Sequence, residues 1–191
     1  MEDKRFSLAS RLIHWAMAFT FLYLMLTVFL RIGFMNSHAM SDTISHGLTE
    51  KGITADKDVT REIAHHILHP MWETHELAGY IMLGLYIIRM IITFKQGAAF
   101  PSPFKAGMSG KDRFKSWVYV IFYVLLAVSL VSALLMEFGP QSIGHEMEEL
   151  HEKGTAYMIA FILLHTAGVL GAELGGERGI VSKMISGNKP Q

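Results

Sequence analysis

The sequence predicts an all-α integral membrane protein, a four-helix bundle with both termini cytoplasmic. Three observations carry that prediction. Residues 117–136 form a run of twenty without one charged side chain, enough helix to cross a hydrocarbon core of about 30 Å. Three further runs are nearly as clean: residues 12–30, with His14 and the Tyr23 phenol as titratable groups; residues 77–94, broken by Arg89; and residues 154–172, with Tyr157 and His165. Finally, hydrophobic residues make up 51% of the 191 and charged residues only 18%, an apolar balance for which a soluble domain has little use.

Spans are therefore expected over about 8–31, 72–94, 116–137 and 150–173 of a single domain covering 1–191. The first apolar run is too long for a signal-peptide core and lacks a small-residue cleavage site after it, so it reads as a retained span. Between the first and second spans lies an enlarged polar stretch, about 32–71. Asp58 to His69 suits a short surface helix with Ile63, Ile67 and Leu68 as its apolar side and Pro70 as its end. The remainder of that stretch, with Gly47 and Gly52, reads as irregular. Pro101 and Pro103 are expected to keep the start of the second loop extended.

Charge placement orients the chain. With a cytoplasmic N-terminus, one side collects Lys4, Arg5, Arg11, Arg89, Lys95, Lys105, Lys111, Arg113, Lys115, Arg178, Lys183 and Lys189, which is twelve of the seventeen basic residues. The positive-inside rule makes that side cytoplasmic. The enlarged stretch and the short acidic loop with Glu137, Glu146, Glu148, Glu149 and Glu152 then face outward. The partners implied are membrane lipid and redox molecules, and nucleic acid is not among them.

Orientation also fixes depth. His151 and His165 stand on the fourth span, fourteen residues apart. Fourteen helical steps advance about 21 Å and end about 40° short of a full number of turns, so both rings leave one face. His75 begins the second span at the outer level, beside His151. His14 lies near the inner end of the first span, at the level of His165. The third span has no histidine. A histidine inside an apolar helix is costly and reads by default as functional, and two pairs at two depths are what two bis-histidine haems stacked across a bundle require.

Other residues fit around those pairs. Gly79 follows His75 by one turn, with Gly84 beyond, and Gly168 and Gly171 follow His165. Missing side chains there would admit a macrocycle, or would simply let helices approach. Arg11 and Arg89 fall at the inner level, where either pairs with a propionate carboxylate or anchors the helix by snorkelling to headgroups.

As a set, these residues resemble the bacterial cytochrome b561 family, which includes the cytochrome b subunits of nickel–iron hydrogenases. The resemblance rests on Arg11-Leu-Ile-His14-Trp15, on His75-Glu-Leu-Ala-Gly79 with Arg89 downstream, on the His151/His165 spacing and on the closing Gly179-Ile-Val-Ser-Lys-Met-Ile-Ser-Gly187. It implies two non-covalent b haems, His14 with His165 holding the inner iron and His75 with His151 the outer. It also implies electron exchange among ubiquinone or menaquinone, a periplasmic cytochrome c and reductase or hydrogenase subunits, in the bacterial inner membrane. Superoxide oxidation by a quinone-linked relative is the alternative, but a superoxide surface should be positive, and the Glu146, Glu148, Glu149 and Glu152 cluster is the reverse. That cluster suits a basic partner, or is a solvated face.

Three further readings are weighed and placed lower. Cysteine is absent, which excludes thiolate metal sites, iron–sulfur clusters and C-x-x-C-H haem attachment. Glu148-x-x-His151 and Glu62-x-x-His65 match the Glu-x-x-His pattern of di-iron bundles, yet no further glutamates lie inside a span to complete it. A non-redox transport or assembly protein leaves the depth match of four histidines unexplained. Of the remaining histidines, His38, His46, His66 and His145 read as solvated, and His65 with His69 has the spacing of a two-ligand metal site.

Overall fold

The computed structural model describes residues 7–33, 35–96, 102–175 and 179–187. Lys4, Arg5, Pro101, Arg178 and Lys189, which entered the charge and loop readings, lie outside the described residues. Helices account for 86% of the described residues, and no strand occurs among them. In order these are α1 (Leu8–Ile32), α2 (Ser37–Glu50), α3 (Lys57–Gln96), α4 (Gly110–Phe138), α5 (Gly144–Leu174) and α6 (Ile180–Ile185). A 3₁₀ turn, Gln141–Ile143, leads into α5.

Four of the helices, α1, α3, α4 and α5, are long and apolar enough to span a membrane. Between 11% and 22% of the most apolar stretch of each is buried within the chain. Most of their apolar surface therefore faces outward, which water would penalise and lipid does not.

The described contacts divide the chain into two compact units, Met1–Trp15 with Ile87–Gln191, and Ala16–Tyr86. In the second unit the enlarged polar stretch is more ordered than its sequence suggests. α2 is a regular helix that runs through Gly47, although glycine costs about 1 kcal/mol against alanine there. The Asn36 side chain accepts the Ala39 N–H at its start, and Gly52, at φ +73°, follows its end.

α3 departs most from expectation. Pro70 does not end a surface helix; it lies inside one helix of 40 residues, about 60 Å long. That is roughly twice the hydrocarbon thickness, so a long part of α3 stands outside it. The buried residues of this part are Thr60, Ala64 and Leu68, spaced four apart, while Ile63 and Ile67 are exposed. Thr60 Oγ1 meets Ser41 Oγ of α2 at 2.9 Å. The helix continues through Pro70 although the proline can make no backbone hydrogen bond there.

In the first unit α4 and α5 form an antiparallel pair in mutual contact, joined by residues 139–143. Ser109 caps α4: its hydroxyl accepts the Asp112 N–H at 3.1 Å and donates to the Asp112 carboxylate at 2.7 Å. Ahead of it, Pro103 is buried in a turn closed from Lys105 N–H to Ser102 O, and is not part of an extended run. The proline ring suits the second position of such a turn.

α6 folds back against α5. Glu173 of α5 accepts the N–H groups of Gly179, Ile180 and Val181 at 2.8, 2.9 and 3.4 Å, placing negative charge on the free amides that begin α6.

Candidate functional site

The first unit brings two of the four singled-out histidines together. The His14 and His165 ring centroids are 6.2 Å apart, and their planes are inclined by 48°. A metal–imidazole bond of about 2.0 Å, plus about 1.1 Å from nitrogen to ring centre, puts two imidazoles on opposite sides of one ion about 6 Å apart. The observed separation therefore fits a shared axial metal and is too wide for ring-to-ring stacking.

The ring nitrogens have defined partners. His151 Nδ1 lies 2.9 Å from the Ser129 carbonyl oxygen. A carbonyl only accepts, so Nδ1 carries the proton and Nε2 does not. His75 Nδ1 lies 2.7 Å from Thr27 Oγ1, and that hydroxyl donates its own hydrogen to Leu24 O at 2.7 Å. With that hydrogen on Leu24 O, Thr27 accepts from His75 Nδ1, and the two rings share one tautomer. His165 Nδ1 meets Tyr119 OH at 3.4 Å. An outer partner on one ring nitrogen, with the other left for a metal, is the usual arrangement of ligating histidines. The donor set suits an iron held from above and below by neutral imidazole.

A family model described as prokaryotic cytochrome b561 matches residues 5–187. The chain belongs to that family. It is accordingly a transmembrane b-type cytochrome that takes part in electron transfer and binds haem b. No curated protein and no solved structure matches it.

For a cytochrome b561, the surroundings of the two arginines now matter. Arg11 NH1 donates to the Ile185 carbonyl at 2.9 Å, and the Trp15 indole N–H donates to Met184 O at 3.2 Å. These two bonds tie the start of α1 to α6, a connection the sequence does not announce. Gly187, at φ +80°, lies so close that an added Cβ would sit 2.9 Å from the Arg11 guanidinium carbon. Arg89 Nε donates to Tyr123 OH at 3.1 Å, so α4 holds this cation near the C-terminal end of α3.

The glycines separate into two kinds. A Cβ added at Gly79, Gly84, Gly168 or Gly171 would meet nothing within 4 Å. These positions leave open surface and do not serve close helix approach among the described residues. Gly154, which sequence reasoning passed over, does serve it: a Cβ there would meet Ser129 Oγ and Tyr157 OH, each at 3.2 Å. Thr27 and Tyr119 were likewise missed; their signal was a hydroxyl inside an apolar helix, which must find a partner. Ser129 was missed too, and its contact with His151 runs through the backbone carbonyl, which the residue type does not announce.

The remaining histidines form no metal cluster among the described residues. Among the described residues no group of three or more His, Cys, Asp or Glu could hold an ion, so His65 and His69 find no third ligand. Exposed His46, His66, His69 and His145 instead each face a glutamate one turn away, at 3.4–3.9 Å.

Proposed function

We propose that this cytochrome carries electrons across the bacterial inner membrane between the quinone pool and a periplasmic redox partner, on two haems. His14 and His165 hold the inner iron, and the 6.2 Å separation of their rings is the observation that carries the reading. His75 and His151 hold the outer iron; the sequence depth of the two residues and the protonated Nδ1 of each support that pair. Haem supplies the one-electron chemistry when bound.

The chain's own residues do the rest. Thr27 and the Ser129 carbonyl keep Nε2 of His75 and His151 unprotonated and raise ring basicity, which favours the oxidised metal. Arg89, held by Tyr123, supplies a cation for a propionate at the inner level; Gly168 near His165 and Gly79 near His75 each leave open surface for a macrocycle edge at their own level. Arg11 has its NH1 group committed to Ile185 O, so its main part is to fasten α6, with its positive charge still at the inner level. The α5 spacing sets the two sites about 21 Å apart along one helix face. Glu146, Glu148, Glu149 and Glu152 are all exposed at the start of α5, which suits docking of a basic cytochrome c on the outer side.

Stopped-flow mixing of the oxidised protein with quinol tests this function. Fast reduction by quinol, followed by reoxidation by a basic cytochrome c, is expected. Reduction by superoxide alone would overturn it in favour of a superoxide oxidase.

A further inference from the structure

His165 is surrounded by rings on two sides. Phe161, one turn earlier on α5, lies almost parallel to the imidazole, with centroids 5.5 Å apart and planes 20° apart. Phe122 of α4 stacks on the far side of Phe161, at 3.8 Å and 21°. Tyr119 meets the imidazole edge-on, at 88°, with its hydroxyl 3.4 Å from Nδ1. Three near-parallel rings thus run from α5 to α4, with a fourth standing across the first.

Nothing in a helix fixes the plane of a histidine ring, because rotation about the bond to an aromatic ring is broad. Here the neighbours fix it. Turning the imidazole about that bond would trade its near-parallel contact with Phe161 for an edge contact and carry Nδ1 away from the Tyr119 hydroxyl, while Phe122, stacked on Phe161 at 3.8 Å, holds that ring in place. The Tyr119 hydroxyl favours the orientation in which Nδ1 faces it. The result is an imidazole inclined by 48° to that of His14.

We propose that Phe161, backed by Phe122, is a positioning residue: it sets the plane of the His165 ring against that of His14, and with it the electronic character of the iron they share. This rests on the reading of those two histidines as axial ligands. An imidazole donates π density perpendicular to its own plane. Two parallel rings therefore act on one of the two metal orbitals available, while inclined rings act on both and bring those orbitals closer in energy. The low-field g value of the frozen ferric protein reads that energy gap, and so reads the angle. Phe161 makes no bond to the metal, so its removal changes the angle and leaves ligation in place.

The test is electron paramagnetic resonance on the purified holoprotein. Phe161→Leu keeps an apolar residue of good helix propensity and removes the flat face. We expect full haem content and a shifted, broadened low-field feature for the inner haem. Phe161→Tyr keeps the face and should restore the wild-type position. Phe122→Leu should give a smaller shift in the same direction, and it carries the test if Phe161→Leu does not load haem. A wild-type spectrum in the loaded Phe161→Leu protein, or failing that in Phe122→Leu, overturns the proposal. His14→Ala and His165→Ala check the ligand assignment separately. Both should abolish the same g feature, and its survival in either would refute the ligation on which the proposal rests.

Discussion

Replacing Thr27 by valine removes one oxygen from a side chain that is 2% exposed. The native hydroxyl accepts from His75 Nδ1 at 2.7 Å and donates to Leu24 O at 2.7 Å. Valine keeps the branched shape but leaves His75 Nδ1–H without its acceptor. An unsatisfied buried donor costs about 1–3 kcal/mol. Leu24 O keeps its place in the α1 ladder and loses only a second bond. At 1.4 kcal/mol per factor of ten, that cost weakens haem binding about 5- to 150-fold, comparable to the 10- to 100-fold typical of lost outer partners. The sign on the potential follows from the same bond. An imidazole that no longer hydrogen-bonds through Nδ1–H donates less to the metal, so the oxidised form loses stabilisation and the midpoint rises. Haem titration of the apoprotein in detergent, with a redox titration of the loaded form, measures both effects. Thr27→Ser should behave as wild type. Unchanged affinity and potential in Thr27→Val would refute the role of this hydroxyl in orienting a ligand.

Three more substitutions test neighbouring contacts. Gly154→Ala places a methyl 3.2 Å from Ser129 Oγ and Tyr157 OH. The crowding should cost about 1–3 kcal/mol and loosen the Ser129 anchor of His151, seen as a lower melting temperature together with reduced haem content. Gly187→Ala combines φ +80° with a contact 2.9 Å from the Arg11 guanidinium. The left-handed conformation alone costs about 1–2 kcal/mol, so limited proteolysis should cut the α6 region faster than in wild type. Glu173→Gln removes the negative charge that accepts three N–H groups at the start of α6. Amide exchange at Gly179, Ile180 and Val181 should accelerate while exchange in α4 stays the same.

How legible the chain was depends on the range of each interaction. The spans could be read because lipid imposes a uniform demand on every residue of a crossing helix. The approach of the His14 and His165 rings to 6.2 Å was legible because helix order and position along each span put both residues at one level. Helix α2 and the unbroken α3 were not. Pro70 is a breaker locally, yet α3 runs through it with Thr60, Ala64 and Leu68 buried along one face, and Gly47 had disguised α2. The anchors of the histidine rings were hidden for a related reason. Thr27 lies 48 residues from His75, and a single hydroxyl in an apolar run does not declare its partner. Arg11 was read as facing a propionate or headgroups, while its nearest acceptor, Ile185 O, lies 174 residues away.

The sharing of one iron by His14 and His165 is tested most directly by counting haems, as pyridine haemochrome per protein, in His14→Ala, His165→Ala and the double variant. Two per chain are expected in the wild type. Each single variant should retain one, and the double variant should also retain one, because both substitutions empty the same site. A double variant with none would show that the two histidines serve different haems, and the shared site would be wrong.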